Sequence, residues 1–168
     1  MNPRPRNVFV VGLDEANLHT LRAVPHAEEL RFHRLLTIRE LQHGEVGVPD
    51  LIDRARHVLD GFDGPIDAIV GYWDFPVSTL VALLAQEYGT RATSLESVVK
   101  CEHKYWSRLV QQEVVAEHPR FGRVDLDAAD PQPPEGVRFP MWLKPALSYS
   151  SELAYGVRDM DEFRTAVE

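Results

Sequence analysis

Residues 7–14 read Asn-Val-Phe-Val-Val-Gly-Leu-Asp, and this short stretch sets the fold class that we predict. Its unbroken apolar run, without polar alternation, is typical of a strand buried on both faces, as in a parallel sheet. Gly12 supplies a turn directly after the strand, and Asp14 is the type of residue that caps the first turn of a helix. The stretch therefore predicts a buried strand followed by a helix.

The same alternation of strand and helix continues through the first ninety or so residues. After a helix over Ala16–Val24, the apolar spacing predicts strands at Leu30–Thr37 and Ile66–Tyr72, and helices at Ile38–Gln42, Leu51–Leu59 and Pro76–Tyr88. This order is typical of α/β proteins with a small, doubly wound parallel sheet. We predict such a domain over residues 1–92.

Two polar loops follow strands of this predicted sheet, at Gly12–Glu15 and Gly71–Phe75. Ligands of doubly wound sheets bind beyond the carboxyl ends of the strands. Asp14, Trp73 and Asp74 are therefore candidate substrate-binding residues. The alternative stays open that Asp14 and Pro76 only begin helices and that Trp73 only packs at a strand end.

The second half of the chain has a different pattern, which predicts a second domain of α+β type over residues 93–168. A proline-rich loop at Asp130–Gly136 interrupts the regular elements of this second domain. The predicted elements are helices at Ser94–Val99, Glu102–Ala116 and Asp159–Val167, and strands at Phe121–Asp127, Arg138–Lys144 and Leu153–Val157.

Two lysines of this half are candidates for holding a polyphosphate. Lys104 lies on a predicted helix, and Lys144 ends a predicted strand just before the small-residue loop Ser148–Ser151. A lysine ammonium is a compact positive charge, and loop amides and hydroxyls add further donors. Each lysine taken alone is more often an ordinary surface side chain, and it is the order and spacing of all the parts together that favour the phosphate site.

The order of segments in residues 90–168 resembles the start of the nucleotide-binding region of the ATP-grasp superfamily of carboxylate ligases. The resemblance rests on five segments: Glu102-His-Lys104, Phe139-Pro-Met-Trp-Leu-Lys144-Pro145, the Ser148–Ser151 loop, Tyr155-Gly-Val157 and the helix at Asp159–Ala166. Residues 7–89 are similar to the Rossmann-like domain that precedes this region in the family. The resemblance implies a pre-ATP-grasp domain followed by a partial ATP-grasp subdomain.

The resemblance also implies roles for individual residues. Lys104 and Lys144 would contact ATP, and Ser148, Ser150 and Ser151 would belong to the loop that closes over the triphosphate. Lys100 is a competing candidate for the first lysine. One departure from the family is that its closing loop is usually rich in glycine, whereas residues 147–155 contain none.

The implied reaction is the ATP-dependent joining of a carboxylate to an amine through an acyl-phosphate, with small-molecule substrates and with Mg²⁺ offsetting the phosphate charge. A complete enzyme of this family needs a further lobe that supplies the metal ligands. We therefore expect the chain to be the amino-terminal fragment of such a ligase, without activity of its own, and we assign it no catalytic residue and no metal ligand.

The alternative function that we weigh is a phospho-receiver-like signalling module. In that fold a lysine ends the fifth strand of one parallel sheet, so an antiparallel pairing of Arg138–Lys144 with Leu153–Val157 outside the first sheet would favour the ligase. A dinucleotide-binding module ranks lower, because only Gly12 follows the first strand where that motif needs three glycines.

Composition excludes several other classes. The chain has 168 residues and a net charge of -8, which argues against a nucleic-acid-coating role. Its single cysteine, Cys101, excludes a disulfide framework, and the pair His26 and His33 lacks metal-ligand spacing. The apolar runs are too short for a membrane span. We expect a cytoplasmic protein that binds neither nucleic acid nor membrane, and we consider a homodimer as its assembly.

Overall fold

A computed structural model of the protein describes residues 4–42, 46–148 and 151–168. The chain divides into two compact units, Met1–Val98 and Val99–Glu168. We call them the N-terminal unit and the C-terminal unit. The domain limits at 1–92 and 93–168 stay a prediction.

The N-terminal unit is an α/β fold, as the alternation of apolar runs predicts. Its strands form one parallel three-stranded sheet in the order β2-β1-β3. The strands are β1 (Arg6–Val11), β2 (Leu30–Leu35) and β3 (Ala68–Gly71), and the helices are α1 (Glu15–Arg22), α2 (Ile38–Gln42), α3 (Val48–Asp60) and α4 (Val77–Glu87), with a 3-10 turn at Ala27–Glu29.

Strand β1 is the centre of this sheet and is buried on both faces. Phe9 and Val11 lie in one apolar cluster with residues of α3 and α4, such as Leu51 and Leu84. Val8 and Val10 lie in a second cluster, against which Leu18 and Leu21 of α1 pack. The sheet is therefore covered by helices on both sides, which is the doubly wound arrangement predicted from the apolar run.

Two glycines allow close approaches at the carboxyl ends of the strands. Gly12 has a φ of +77°, a backbone conformation that favours glycine. A Cβ atom there would lie 2.8 Å from Leu41 Cδ1. Gly71 ends β3, and a Cβ atom on it would overlap the side chain of Val77. Glycine at these positions lets α2 and α4 pack tightly against the strand ends.

The C-terminal unit contains helices and a separate two-stranded sheet. Its strands β4 (Met141–Leu143) and β5 (Tyr155–Val157) pair antiparallel, with Trp142 opposite Gly156. The helices are α6 (Lys104–Val114) and α7 (Met160–Val167), and α5 (Leu95–Glu102) lies at the boundary between the two units. Asp159 caps α7 by accepting hydrogen bonds from the backbone N–H groups of Asp161 and Glu162.

The strand predicted at Phe121–Asp127 is wrong, because these residues form no strand in the structure. Gly122 instead packs so closely against Pro134 that a Cβ atom on it would overlap the proline ring. Arg120 donates a hydrogen bond from Nη1 to the carbonyl of Gly136 at 3.1 Å. The segment is thus fixed by a proline contact and a side-chain hydrogen bond in place of strand pairing.

Within the described ranges, no helix combines the length and the apolar character that a membrane crossing requires.

Candidate functional site

Lys104 is bonded directly to the loop that follows β4. Its ammonium group donates to the carbonyl oxygen of Ser148 at 2.6 Å and to the Ser148 hydroxyl at 2.9 Å. Its backbone N–H donates to the carbonyl of Ala146 at 2.9 Å. Because Lys104 is the first residue of α6, these bonds attach the start of that helix to the segment between Lys144 and Ser148.

Lys144 directly follows β4 and is exposed. Its Nζ atom lies 5.2 Å from the ring centre of Trp142, a cation–π distance. The two residues are two positions apart in the chain, with Trp142 in β4 and Lys144 directly after it. Trp142 is 69% exposed, and its ring also lies over Gly156 on the partner strand. Lys144 is thus a positive charge at an open position beside an aromatic ring.

The loop after Lys144 contains the three predicted serines. Ser148 is half-buried and Ser151 is exposed, whereas Ser150 lies outside the described residues. Ser151 has a φ of +60° and Leu153 a φ of +52°. Both values lie in the left-handed region that glycine adopts most easily. The loop thus takes backbone conformations typical of glycine at two positions although residues 147–155 contain no glycine.

The pairing of β4 with β5 distinguishes between the two functions that the sequence left open. The strands are antiparallel and belong to a sheet of their own. Lys144 therefore does not end a fifth strand of the parallel sheet, as the receiver module would require. The arrangement is the one that we expect for the ligase.

In the N-terminal unit, the ends of β1 and β3 lie side by side, with Val11 paired to Gly71. The hydroxyl of Tyr72 donates a hydrogen bond of 2.6 Å to the carbonyl of Gly12, which joins the two predicted loops. Trp73 is 44% exposed, and its Cδ1 lies 3.8 Å from the position that a Cβ of Gly12 would occupy. The structure therefore brings Trp73 to the loop that leads into Asp14.

The two candidate aspartates of this unit have different surroundings. Asp14 is half-buried and caps α1: its carboxylate accepts the backbone N–H of Asn17 at 2.7 Å and the side-chain amide of Asn17 at 2.9 Å. Asp74 is exposed, and its backbone carbonyl accepts the N–H groups of Val77 and Ser78.

Asp67 and His33 of the N-terminal unit have shifted pKa values, and neither is a candidate site residue. The Arg4 guanidinium, together with the backbone N–H of Asn7, lowers the pKa of Asp67 to about 2. Burial lowers the pKa of His33, whose ring is stacked on Phe9 at 4.8 Å between centroids. These shifts have structural causes and do not indicate a catalytic acid or base.

The polar groups of the C-terminal unit fit a polyphosphate. Two ammonium groups and two serine hydroxyls are of the donor type that holds phosphate oxygens. They do not fit a metal site, since the one described cluster of potential ligands, His26, Glu28 and Glu29, belongs to the N-terminal unit. That cluster precedes the first residue of β2 and is exposed. The described residues of the C-terminal unit thus form no set of Mg²⁺ ligands.

Sequence reasoning missed three residues that support these sites. Trp142 could have been found from its position two residues before Lys144. His103 precedes α6, accepts the backbone N–H of Trp106 at 3.3 Å through Nδ1 and stacks on the Trp106 ring. Tyr72 forms its bond to Gly12 over a separation of 60 residues, and no local pattern indicates such a contact.

One solved structure has the same fold over 99% of this chain. It is an L-amino acid ligase from Bacillus licheniformis, with a TM-score of 0.66 and 18% sequence identity, and the chain spans 42% of its length. The fold that the sequence resemblance predicts is confirmed by this likeness, which at this identity concerns the fold alone. No protein-family model matches the sequence, and no curated protein matches it.

Proposed function

We propose that this chain belongs to an ATP-dependent ligase that joins a carboxylate to an amine. The observation that carries the proposal is the likeness of fold to an L-amino acid ligase along nearly the whole chain. The antiparallel hairpin of β4 and β5, with Lys144 at the end of its first strand, agrees with the arrangement that the ligase resemblance implies. A cytoplasmic location follows from the proposed use of ATP.

The C-terminal unit supplies the nucleotide contacts in this proposal. Lys144 is exposed and available to an incoming phosphate. Lys104 is held in place by two bonds to Ser148, so its remaining N–H can meet a phosphate oxygen without a further loss of side-chain freedom. The hydroxyls of Ser148 and Ser151 add donors. The role of Ser150 is proposed from the resemblance alone.

The proposed reaction has two steps. A carboxylate oxygen of the first substrate forms a bond to the γ-phosphorus of ATP while the bond between that phosphorus and the ADP oxygen breaks. The amine of the second substrate then attacks the acyl carbon, and the amide forms as inorganic phosphate and a proton leave. Positive groups aimed at the transferring phosphoryl stabilise charge in the first step. Lys104 and Lys144 are the residues of this chain that we assign to that task.

The N-terminal unit holds substrate in this proposal, through Asp14, Trp73 and Asp74. These residues follow the ends of β1 and β3, where doubly wound sheets bind ligands. Asp14 is engaged as a helix cap, so its contribution is to fix the loop after β1. The exposed side chains of Trp73 and Asp74 are the ones that can contact substrate.

The experiment that tests the nucleotide site measures the melting temperature of the protein with and without ATP and Mg²⁺. Binding at a hundred times the dissociation constant stabilises a protein by about 2.7 kcal/mol, which is a shift of several degrees. We expect Lys144→Ala to abolish that shift. Arg138→Ala is the matched control, because it removes one exposed positive charge that precedes β4, at the other end of that strand. An unchanged shift in Lys144→Ala would contradict the assignment of Lys144.

A further inference from the structure

A cavity of about 350 Å³ lies within the C-terminal unit, between α6 and the chain that follows this helix. Tyr105, Leu109 and Gln112 form one wall, and their spacing of i, i+4 and i+7 places them on one face of α6. The remaining described lining residues come from the chain after the helix: His118, Arg120, Phe121, Glu135 and Gly136. Clefts of this size that combine aromatic side chains with a few polar groups are typical of small-molecule sites.

Three aromatic rings hold the first two walls of this cavity together. The rings of Tyr105 and Phe121 lie 5.7 Å apart between centroids, with their planes at 66°. The ring of His118 meets the same Phe121 ring at 6.1 Å and 70°. Edge-to-face pairs of this kind fix the orientation of the rings that form them. Phe121 therefore attaches the segment after α6 to the helix and gives the cavity aromatic walls on two sides.

The third wall, at Glu135 and Gly136, is attached to the second by two further contacts. Arg120 donates from Nη1 to the carbonyl of Gly136 at 3.1 Å. Gly122 packs so closely on Pro134 that a Cβ atom on the glycine would overlap the proline ring. The shape of the cavity thus depends on contacts among its own walls, all of which belong to the C-terminal unit.

The charges at the cavity favour a ligand with a single negative charge. A guanidinium group has five N–H donors, so Arg120 can hold a carboxylate with the donors that its bond to Gly136 leaves over. The guanidinium carbon of Arg123 lies 5.1 Å from the centre of the Tyr105 ring and adds a second positive charge beside the cavity. Glu135 contributes one negative charge, which disfavours a doubly charged phosphate more than a carboxylate.

We propose that this cavity binds a planar aromatic carboxylate, with the ring of the ligand against Phe121 and Leu109 and its carboxylate on Arg120. The flat ring matches the aromatic walls, and the guanidinium fork matches the two carboxylate oxygens. The inference goes beyond the proposed ligase function and does not depend on it. The described lining residues include neither of the two lysines that we assign to ATP.

Three probes test the cavity by calorimetric titration without nucleotide: 2-naphthoate, 2-naphthylmethanol and octanoate. We expect 2-naphthoate to bind, and the neutral alcohol and the ring-free carboxylate to bind at least about tenfold more weakly. Arg120→Gln should weaken binding of 2-naphthoate about tenfold, a loss of about 1.4 kcal/mol. Arg138→Gln is the matched control, because it removes an exposed arginine of the same unit that does not line the cavity. Equal affinities of these two variants for 2-naphthoate would overturn the inference.

A second pair of variants leaves Arg120 and its bond to Gly136 in place. Leu109→Trp fills the cavity and should abolish binding of 2-naphthoate. Val110→Trp adds the same side chain at the neighbouring position of α6, which is 43% exposed, and should retain binding. Circular dichroism checks that both variants keep their helices. Unchanged affinity in Leu109→Trp would overturn the inference. Displacement of 2-naphthoate by ATP would overturn it too, because the cavity would then belong to the nucleotide site.

Discussion

The two units of this protein position their loops by different forces. In the N-terminal unit, strands and helices share an apolar core that includes Phe9, Val11 and Leu84, each at most 1% exposed. Among the described residues of the C-terminal unit, the buried apolar side chains are Val157 and Phe163. Many of its other large apolar residues are exposed: Trp106, Val110, Val114, Val115, Leu126, Trp142, Leu147, Leu153 and Tyr155.

The C-terminal unit therefore depends on individual polar bonds where the N-terminal unit depends on burial. Lys104 holds the loop at Ser148, and Arg120 holds the segment at Gly136. Removal of a core side chain should destabilise the whole N-terminal unit, since its contacts are shared. Removal of one polar bond should release one loop. In the proposed function, the first arrangement suits a rigid scaffold for substrate and the second suits an adjustable loop for phosphate.

The largest expected effect is that of a cavity in the N-terminal core. The side chain of Leu84 is 0% exposed. Leu84→Ala should therefore lower the free energy of unfolding by about 3 kcal/mol, in the range for buried leucines. Leu147→Ala removes the same atoms from a side chain that is 60% exposed. This surface substitution should cost at most about 0.5 kcal/mol. Urea unfolding followed by circular dichroism measures both, and equal losses would contradict the contrast between the units.

The next effect separates the two lysines of the proposed nucleotide site. Lys104→Met removes two charged hydrogen bonds to Ser148 at a half-buried position. The loss of these bonds should destabilise the C-terminal unit by roughly 2 kcal/mol. Lys144→Met removes one exposed cation–π contact with Trp142. That loss should cost only about 0.5 kcal/mol.

Both lysine variants should lose the ATP-induced melting shift, while chemical unfolding without nucleotide separates their stabilities. If Lys104→Met were as stable as Lys144→Met, the bonds to Ser148 would not be what holds the loop.

A smaller and opposite effect is expected in the loop that follows. Leu153 is 60% exposed and has a φ of +52°. The backbone at Leu153 is therefore in a conformation that is unfavourable for a residue with a Cβ atom. Leu153→Gly should stabilise the C-terminal unit by about 0.5 kcal/mol or somewhat more. Leu147→Gly, at an equally exposed position without a positive φ, should destabilise it slightly through backbone entropy. Guanidinium unfolding of both variants measures these opposite changes in the free energy of unfolding. A loss of stability in Leu153→Gly would contradict the strain that we assign to Leu153.

The smallest effect concerns a surface ion pair of the N-terminal unit. Arg4 lowers the pKa of Asp67 from 3.8 to about 2, so the folded state favours the charged carboxylate. The resulting stability is present above pH 3.8 and is lost as the pH falls towards 2. Asp67→Asn should remove this part of the acid dependence when unfolding is measured across the acidic range. Asp63→Asn should retain it, and identical profiles for the two variants would contradict the role of Asp67.

The regular elements of the N-terminal unit could be predicted because each leaves a local pattern. The apolar run ending at Val11 indicated the central strand, and the helical spacing from Leu51 to Leu59 indicated α3, which extends over Val48–Asp60. Strands are shorter than predicted in the C-terminal unit, where Pro140 and Pro145 flank β4 and proline cannot donate to a ladder.

The contacts of the candidate sites could be predicted only in part. The order of segments made Lys104 and Lys144 candidates, and the ligase resemblance added Ser148. The bond between Lys104 and Ser148 spans 44 residues, and no periodicity indicates it. The prediction of a strand at Phe121–Asp127 was wrong, because apolar residues alone do not supply a strand to pair with. Gly122 packs against Pro134 in its place. Long-range contacts of this kind depend on the fold as a whole.

The central proposal is that the C-terminal unit binds the nucleotide and the N-terminal unit holds the substrate. The most direct measurement is a titration of the 19.1 kDa protein with ATP and Mg²⁺, followed by the chemical shifts of its backbone amides in NMR spectra. We predict that the shifts change at Lys104, Lys144, Ser148 and Ser151 and stay constant at Tyr72, Trp73 and Asp74. Changes confined to the ends of β1 and β3, with none at the two lysines, would contradict the claim.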